Sequence, residues 1–345
     1  MFNVTYLHPL VEVETMNNRG TVMAARTQPS SRSPEPNASL DLSVRAAWLY
    51  YIEGLTQEDV AAAMGVSRAK VIRLLSAARE HGIAHIQINA KGSEQLALER
   101  RLMAAFKLNE AVVTPAPTDP SAVAAVVGHA TGAYLADNLR HGMSLGVGWG
   151  ATLSMSLKAL GTKAYEGFSV ISLMGGMTHS RSVNPSAVAR RIADAVSAEC
   201  FQLTAPVFVA SETTRNALWA EPGLTDLLAR ARRVDLAVLS VGDVSEHSTL
   251  FREGLLPRSQ LASLIAAGAV GEVLCHFLDA NGNVVDHPVS RRVVSVGLED
   301  LRRVPKIVIA AGGDSKVEAI RVVLKATRAR VLITDEAAAR GLLRD

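Results

Sequence analysis

Cysteine is nearly absent from this 345-residue chain, which has only Cys200 and Cys275. Two thiols cannot build a disulfide framework or supply the ligand set of a structural zinc site, so both read as small core residues in a reduced setting. Aromatic residues are scarce too, at 4%, and the 48% hydrophobic fraction is carried mainly by Ala, Val and Leu. That bias suits layers of helix and parallel strand better than a sandwich or barrel. No run approaches the ~18 apolar residues of a membrane helix. The first 25 residues also lack a basic stretch followed by an apolar one, so export is not expected and the chain is placed in the cytoplasm. Charge of one sign is lacking as well: 36 basic residues face 33 acidic ones, net +3. Any contact with nucleic acid must therefore come from a local cluster. His129, His141, His179 and His276 show no metal-ligand spacing, and neither a metal nor another cofactor is expected.

What is present divides into four segments. Residues 1–41 hold TQPSSRSPEPNAS and no sustained apolar period, and are read as a disordered leader. From Leu42 a helical period begins, through Ala46, Leu49 and Ile52, and stops at Gly54. Two more helices, starting at Thr56 and Ser67, complete a DNA-binding domain over 42–91, with Ile83, Ile86 and Ile88 as a small strand or wing. A helix over 92–109, marked by Leu98, Leu102 and Phe106, is expected to link domains or to dimerise. The rest, 110–345, alternates β-branched runs with helices. Strands are expected at Ala111–Thr114, Ser144–Val147, Ser169–Leu173, Val207–Val209, Leu236–Val241, Ile307–Ala310 and Val331–Ile333. Near-continuous apolar strands separated by helices predict a parallel sheet covered on both faces. In GEVLCHFLDANGNVV, Asn281-Gly282 predicts a hairpin turn.

TQEDVAAAMGVSRAKVIRLLSAAREHGI is the strongest local signal. Thr56 caps a helix, with Asp59 at the capping-box position. Ala61, Ala62 and Ala63 let a neighbouring helix approach closely. Gly65 closes the helix, Val66 is expected to be buried in the turn, and Ser67 caps the next helix. Two such helices joined by a short glycine turn make a helix-turn-helix. The second presents Arg68, Lys70 and Arg73 while Val71, Leu74 and Leu75 face inward. Its N-terminal residues would enter the major groove, with Arg68 as the guanine reader and Thr56, Gln57, Ser67, Lys70 and Arg73 completing the DNA surface.

A second constellation lies in SLGVGWGAT. A strand ends at Val147; Gly146, Gly148 and Gly150 turn the backbone, and Trp149, Ala151 and Thr152 lead into a helix whose free N–H groups are expected to form an anion cradle, the alternative being glycines that serve purely as structural turns. A dinucleotide fingerprint fits poorly, because Ala151 stands where its third glycine belongs. Three other strand ends converge with this one: Gly175-Gly176, Gly242-Asp243, and Gly312-Gly313 followed by Lys316. In an open α/β sheet ligands sit outside the carboxyl ends of the strands, and Lys316 supplies a charge suited to phosphate. Arg190 and Arg191 are secondary candidates, better read as surface charges.

With these motifs in place, WLYYIEGLTQEDVAAAMGVSRAKVIRLLSAAREHGIAHIQI resembles the DNA-binding domain of the SorC family of sugar-responsive regulators. The resemblance rests on Trp48, Tyr50, Tyr51, Thr56, Gln57, Ser67, Arg68 and the Arg73-Leu74-Leu75 run. Ile72 departs from the pattern, which often carries Ser there. The similarity continues through GVGWGATL, SLMGG, AGAVGEVLCHFLDANG, AGGDSKVEAI and VLITDE, covering roughly 43–345. It implies a winged-type helix-turn-helix domain joined to a Rossmann-like α/β effector domain akin to phosphosugar isomerases. It also implies a phosphorylated sugar or polyol effector held by the first glycine loop and the late lysine, a homo-tetramer, and a double-stranded operator as partner. Some relatives hold a sugar covalently through a lysine before the Gly-Gly pair; Met174 stands there, so reversible binding is expected.

The rival is a sugar-phosphate isomerase or deaminase. That chemistry needs a poised acid or base, and Asp243, Asp279 and Asp335, though near strand ends, have no histidine partner close in sequence. No catalytic residue is therefore assigned. A regulator of carbohydrate or polyol metabolism accounts for both domains.

Overall fold

The computed structural model describes residues 36–84, 92–177 and 184–344, which form two compact units that divide near residue 83. The first unit opens with helix α1, Pro36–Ala47, running into a wider π-helical turn, Trp48–Ile52. The helix thus begins at Pro36, inside the segment read as a disordered leader, because proline is well suited to a first helical turn. Helices α2, Gln57–Met64, and α3, Arg68–Glu80, follow. Val60, Val71, Leu74, Leu75 and Ala78 close a small core against Ala46 and Ala47 of α1. Leu40, Val44, Trp48 and Ile52, four residues apart, stay exposed. The proposed wing, 83–91, falls almost wholly outside the described residues.

The second unit starts with α4, Ser93–Phe106, whose Leu98 and Leu102 are buried in the sheet's core. This helix is a layer of the second unit and packs on its first strand. Seven parallel strands form the main sheet: β1 Glu110–Thr114, β2 Ser144–Val147, β3 Ser169–Ser172, β4 Glu199–Phe201, β5 Leu236–Ser240, β9 Lys306–Ala310 and β10 Val331–Asp335. Their spatial order is β1-β10-β9-β5-β2-β3-β4. A smaller antiparallel sheet comprises β6 Gly242–Asp243, β7 Gly271–Val273 and β8 His276–Leu278. Two apolar cores, one on each face, account for the fully apolar strands.

One strand-level expectation changes, and the expected Asn281-Gly282 turn forms beside a tighter one. Val207–Val209 forms no strand; it is held by isolated bridges, including Phe208 with Val293. The β7–β8 turn is Leu274-Cys275, both at positive φ and both buried. Asn281-Gly282 makes the next turn, with Gly282 at φ 82°, bringing Val284 back beside Leu278.

Two helices of this unit pack backbone to backbone. Helix α5, Val123–Asn138, lies along α6, Ala151–Leu160. Gly128 and Gly132 face α6 so closely that a Cβ at 132 would collide with the Ser156 carbonyl oxygen. The contact fixes where α6 begins.

Candidate functional site

The main sheet reverses its order between β5 and β2: from β2 the chain steps outward through β3 and β4, then returns on the other side through β5. The crevice above the C-terminal ends at such a reversal is where open α/β sheets take ligands. Here it holds a cavity of about 560 Å³, within the usual range for small-molecule sites.

Three loops build its walls. After β2 come Trp149, Gly150, Ala151 and Thr152; after β5 come Gly242, Asp243 and the segment to Arg252; after β9 come Ser315 and Lys316. Gly150 sits at φ 113°, and a Cβ there would meet the Ser240 hydroxyl at 2.7 Å, so the α6 entry requires glycine. The Ser240 hydroxyl donates to the Trp149 carbonyl, tying the β2 and β5 loops together. The Lys316 ammonium donates to the Val241 carbonyl at 2.8 Å, tying β9 to β5. Burial lowers its pKa, while Asp243 and Glu272 oppose that shift. A positive charge thus lines the same cavity as the open N-terminus of α6, a combination suited to a phosphate.

A second cavity of about 400 Å³, lined by Gly312, Gly313, Asp314 and Asp335, shares Thr152, Ser315 and Lys316 with the first. Asp335 accepts the Gly313 N–H at 2.7 Å and caps the helix Glu336–Leu342 through Ala338. It therefore fixes the loop that leads to Lys316.

The structure brings Trp149, Gly150, Ala151, Thr152, Asp243 and Lys316 to one cavity and Gly312 and Gly313 to its neighbour. Gly146 lies within β2, where a Cβ would press on Leu173 at 3.0 Å. Gly148 packs against Leu239 and Leu274, and Gly175 against the 205–207 backbone, where a Cβ would meet the Ala205 carbonyl at 2.5 Å. Gly176 lines a separate hollow with Met177 and Phe208. These four shape the sheet and do not line the large cavity. Arg190 pairs with Asp194 at 2.9 Å in solvent, and Asp279 accepts the N–H groups of Asn281 and Asn283 in its turn.

Sequence reasoning missed three cavity residues. Glu272 is buried, and burial raises its pKa to about 7 despite the Cys275 N–H, which donates at 2.8 Å, and Lys316. The Ser248 hydroxyl is buried in the cavity wall without a hydrogen-bond partner. Arg252 lines the same wall. A carboxylate inside the apolar AVGEVL run was the available signal, since a buried charge needs a reason.

In the first unit, Thr56 and Asp59 form a reciprocal capping box and Gly65 ends α2 at φ 64°. The Ser67 hydroxyl accepts the Lys70 N–H at 3.3 Å. Arg68 donates to Gln57 at 3.3 Å and lies 3.8 Å from Glu58. Arg68, Lys70 and Arg73 are all exposed.

A helix-turn-helix followed by an α/β domain with a loop-lined cavity defines a ligand-responsive transcriptional regulator. The family model for a sugar-binding domain, Sugar-bind, matches residues 91–344. Over 309 residues the chain is 31% identical to the erythritol catabolism regulatory protein EryD of Brucella abortus, covering 89% of this chain and 98% of EryD. It is 32% identical to the transcriptional regulator LsrR of Klebsiella pneumoniae, covering 89% and 94% of the two chains. The full-length sorbitol operon regulator SorC from Klebsiella pneumoniae superposes with a TM-score of 0.66 at 25% identity, covering 89% of this chain and all of SorC. The chain belongs to the SorC family of sugar-binding transcriptional regulators.

Proposed function

We propose that this regulator controls carbohydrate or polyol metabolism by binding a double-stranded operator through α3, and that a phosphorylated sugar or polyol in the β2–β5–β9 cavity is its switch. The observation that carries the reading is the Lys316 ammonium, fixed on Val241 and lining one cavity with the α6 N-terminus. Hydroxyl ligands suit the remaining wall: Asp243 and Glu272 accept, and the unpartnered Ser248 hydroxyl does either. EryD and SorC carry names from erythritol and sorbitol metabolism, and polyols of that size fit the cavity.

A thermal-shift screen of sugar and polyol phosphates against their unphosphorylated forms tests this. A true effector at a hundredfold excess over its Kd adds about 2.7 kcal/mol. Equal responses to phosphorylated and plain sugars would sink the proposed phosphate site.

On the DNA side, Arg68→Ala is expected to weaken operator binding about ten- to a hundredfold and relax base preference at one position. Electrophoretic mobility assays with single-base operator variants check it. Thr56, Gln57, Ser67, Lys70 and Arg73 set the helix in the groove around Arg68.

The assembly we propose is a homo-tetramer whose paired recognition helices span half-sites ~34–36 Å apart. The exposed stripe of Leu40, Val44, Trp48 and Ile52 supports association, because it is apolar and lies apart from the buried Ala46 and Ala47 that pack on α3. Cytoplasmic residence fits these partners; among the described residues no helix is long and apolar enough to cross a membrane.

We read the domain as a sensor and not an enzyme. A second reading, an isomerase, is favoured by one observation, the placement of Glu272 beside Lys316 and Asp243. Following a bound sugar phosphate by NMR separates the two, since a sensor returns its ligand unchanged.

Glu272 also makes stability depend on pH. Its carboxyl titrates near 7 when folded, against an ordinary 4.5. A raised folded pKa means the native state holds the proton more tightly, so this contribution is complete below about 4.5 and fades as pH rises through 7. The thermal midpoint of ligand-free wild type should therefore fall relative to Glu272→Gln between those values. Parallel pH profiles for the two would refute the assignment.

A further inference from the structure

Helix α3 carries an apolar residue where a solvated helix has no use for one. Ile72 is 46% exposed, one helical turn after Arg68 and directly before Arg73. Val71, Leu74, Leu75 and Ala78 already supply the buried face of α3, so Ile72 is not needed for packing within this unit. Helical spacing places Ile72 on the same outward face as Ala69, which is also exposed. Arg68 borders that face on one side and Arg73 on the other. The outward surface of α3 is therefore a small apolar strip between two guanidinium groups.

A major groove offers one apolar feature on its base edges, the 5-methyl group of thymine. Guanidinium groups suit guanine edges and phosphates, but they gain nothing from a methyl. A branched aliphatic side chain between them has the complementary chemistry. Branching at its β-carbon also leaves it few χ1 rotamers, so little freedom is lost on contact.

We infer that Ile72 is a specificity residue of this regulator, reading the methyl group of a thymine beside the base read by Arg68. This rests on the reading that α3 lies in the major groove, and the experiment distinguishes failure of the one from failure of the other. In each half-site the thymine falls next to the Arg68 contact, and the contact is hydrophobic, so it adds little to the salt dependence of binding.

The test uses the full-length protein and a randomised duplex library. The best enriched duplex is remade with deoxyuridine replacing thymine at one position at a time, which removes a single methyl and leaves pairing intact. Wild type is expected to lose about fourfold in affinity at the contacted thymine, the effect of exposing one carbon. Ile72→Ala is expected to bind the thymine and deoxyuridine forms equally. Ile72 is a solvent-facing helix residue, and circular dichroism checks that the variant folds. If no deoxyuridine position weakens wild type while Arg68→Ala still abolishes selection, the helix is in the groove and the role of Ile72 is wrong. If Arg68→Ala binds the enriched duplex as well as wild type, or if no duplex is enriched, the placement of α3 falls and the inference with it.

Discussion

A Lys316→Met variant is expected to bind a phosphorylated effector about a hundredfold more weakly than wild type, and to lose most of its preference for the phosphate over the plain sugar. A hydrogen bond to a charged group is worth ~1.5–3 kcal/mol net, more when little water reaches it. The Lys316 side chain is half-buried, and it is held in place by the Val241 carbonyl before any ligand arrives. Orientation is thus settled in advance, and the ligand gains most of the electrostatic energy. Methionine keeps the length and apolar stem but leaves Glu272 and Asp243 without their nearby positive charge, which repels an anion further. Titration calorimetry with a matched polyol and polyol phosphate reads the result directly. An unchanged preference for the phosphate would assign that group to the α6 N-terminus alone, or to Arg252.

The parts of this molecule that were legible in sequence are those fixed by near neighbours. The Thr56–Asp59 box, Gly65 and the Ser67 cap are contacts within three residues or single-residue backbone requirements, and each appears as its pattern implies. The glycine-flanked strand ends around Trp149–Thr152 and Gly312–Lys316 obey the same logic. Glu272 stood out only as a carboxylate in an apolar run, and neither it nor Ser248 could be placed at the cavity, because their place depends on β6 pairing with β7, which folds residues 242–273 back over the crevice. Nothing within a few residues of either encodes that pairing. The Leu274-Cys275 turn between β7 and β8 was not legible for a related reason. Leu274 and Cys275 accept positive φ because both are buried, and packing offsets a backbone cost that turn preferences would forbid. The N-terminal start of α1 was missed because PEPNAS reads as a linker by composition, and the apolar face that orders it becomes visible only against α3.

The glycines divide by cause: some meet a backbone angle, others a close approach, and Gly132 is of the second kind. Gly132→Ala is expected to destabilise the sugar-binding domain by about 3 kcal/mol, the upper part of the overpacking range, and to lower its thermal midpoint by roughly 6–12 °C. The added methyl would collide with the Ser156 carbonyl oxygen and stand 2.9 Å from the Leu160 amide nitrogen. Both are backbone atoms, so no side chain can swing aside and α6 itself must move. Gly128, one turn earlier on α5, meets the Thr152 carbonyl at 2.6 Å on the same construction. The α5–α6 contact therefore bears directly on the residue that opens the effector cradle. Any shift of α6 displaces its N-terminal N–H groups from Lys316, and effector affinity should drop together with stability. Gly223→Ala is the matched control: it lies in the first turn of the helix Pro222–Ala231 with open space around it, and is expected to be neutral or to add ~0.5 kcal/mol. Equal thermal midpoints for the two variants would mean that α5 and α6 do not approach this closely, and would remove the support beneath the proposed phosphate cradle.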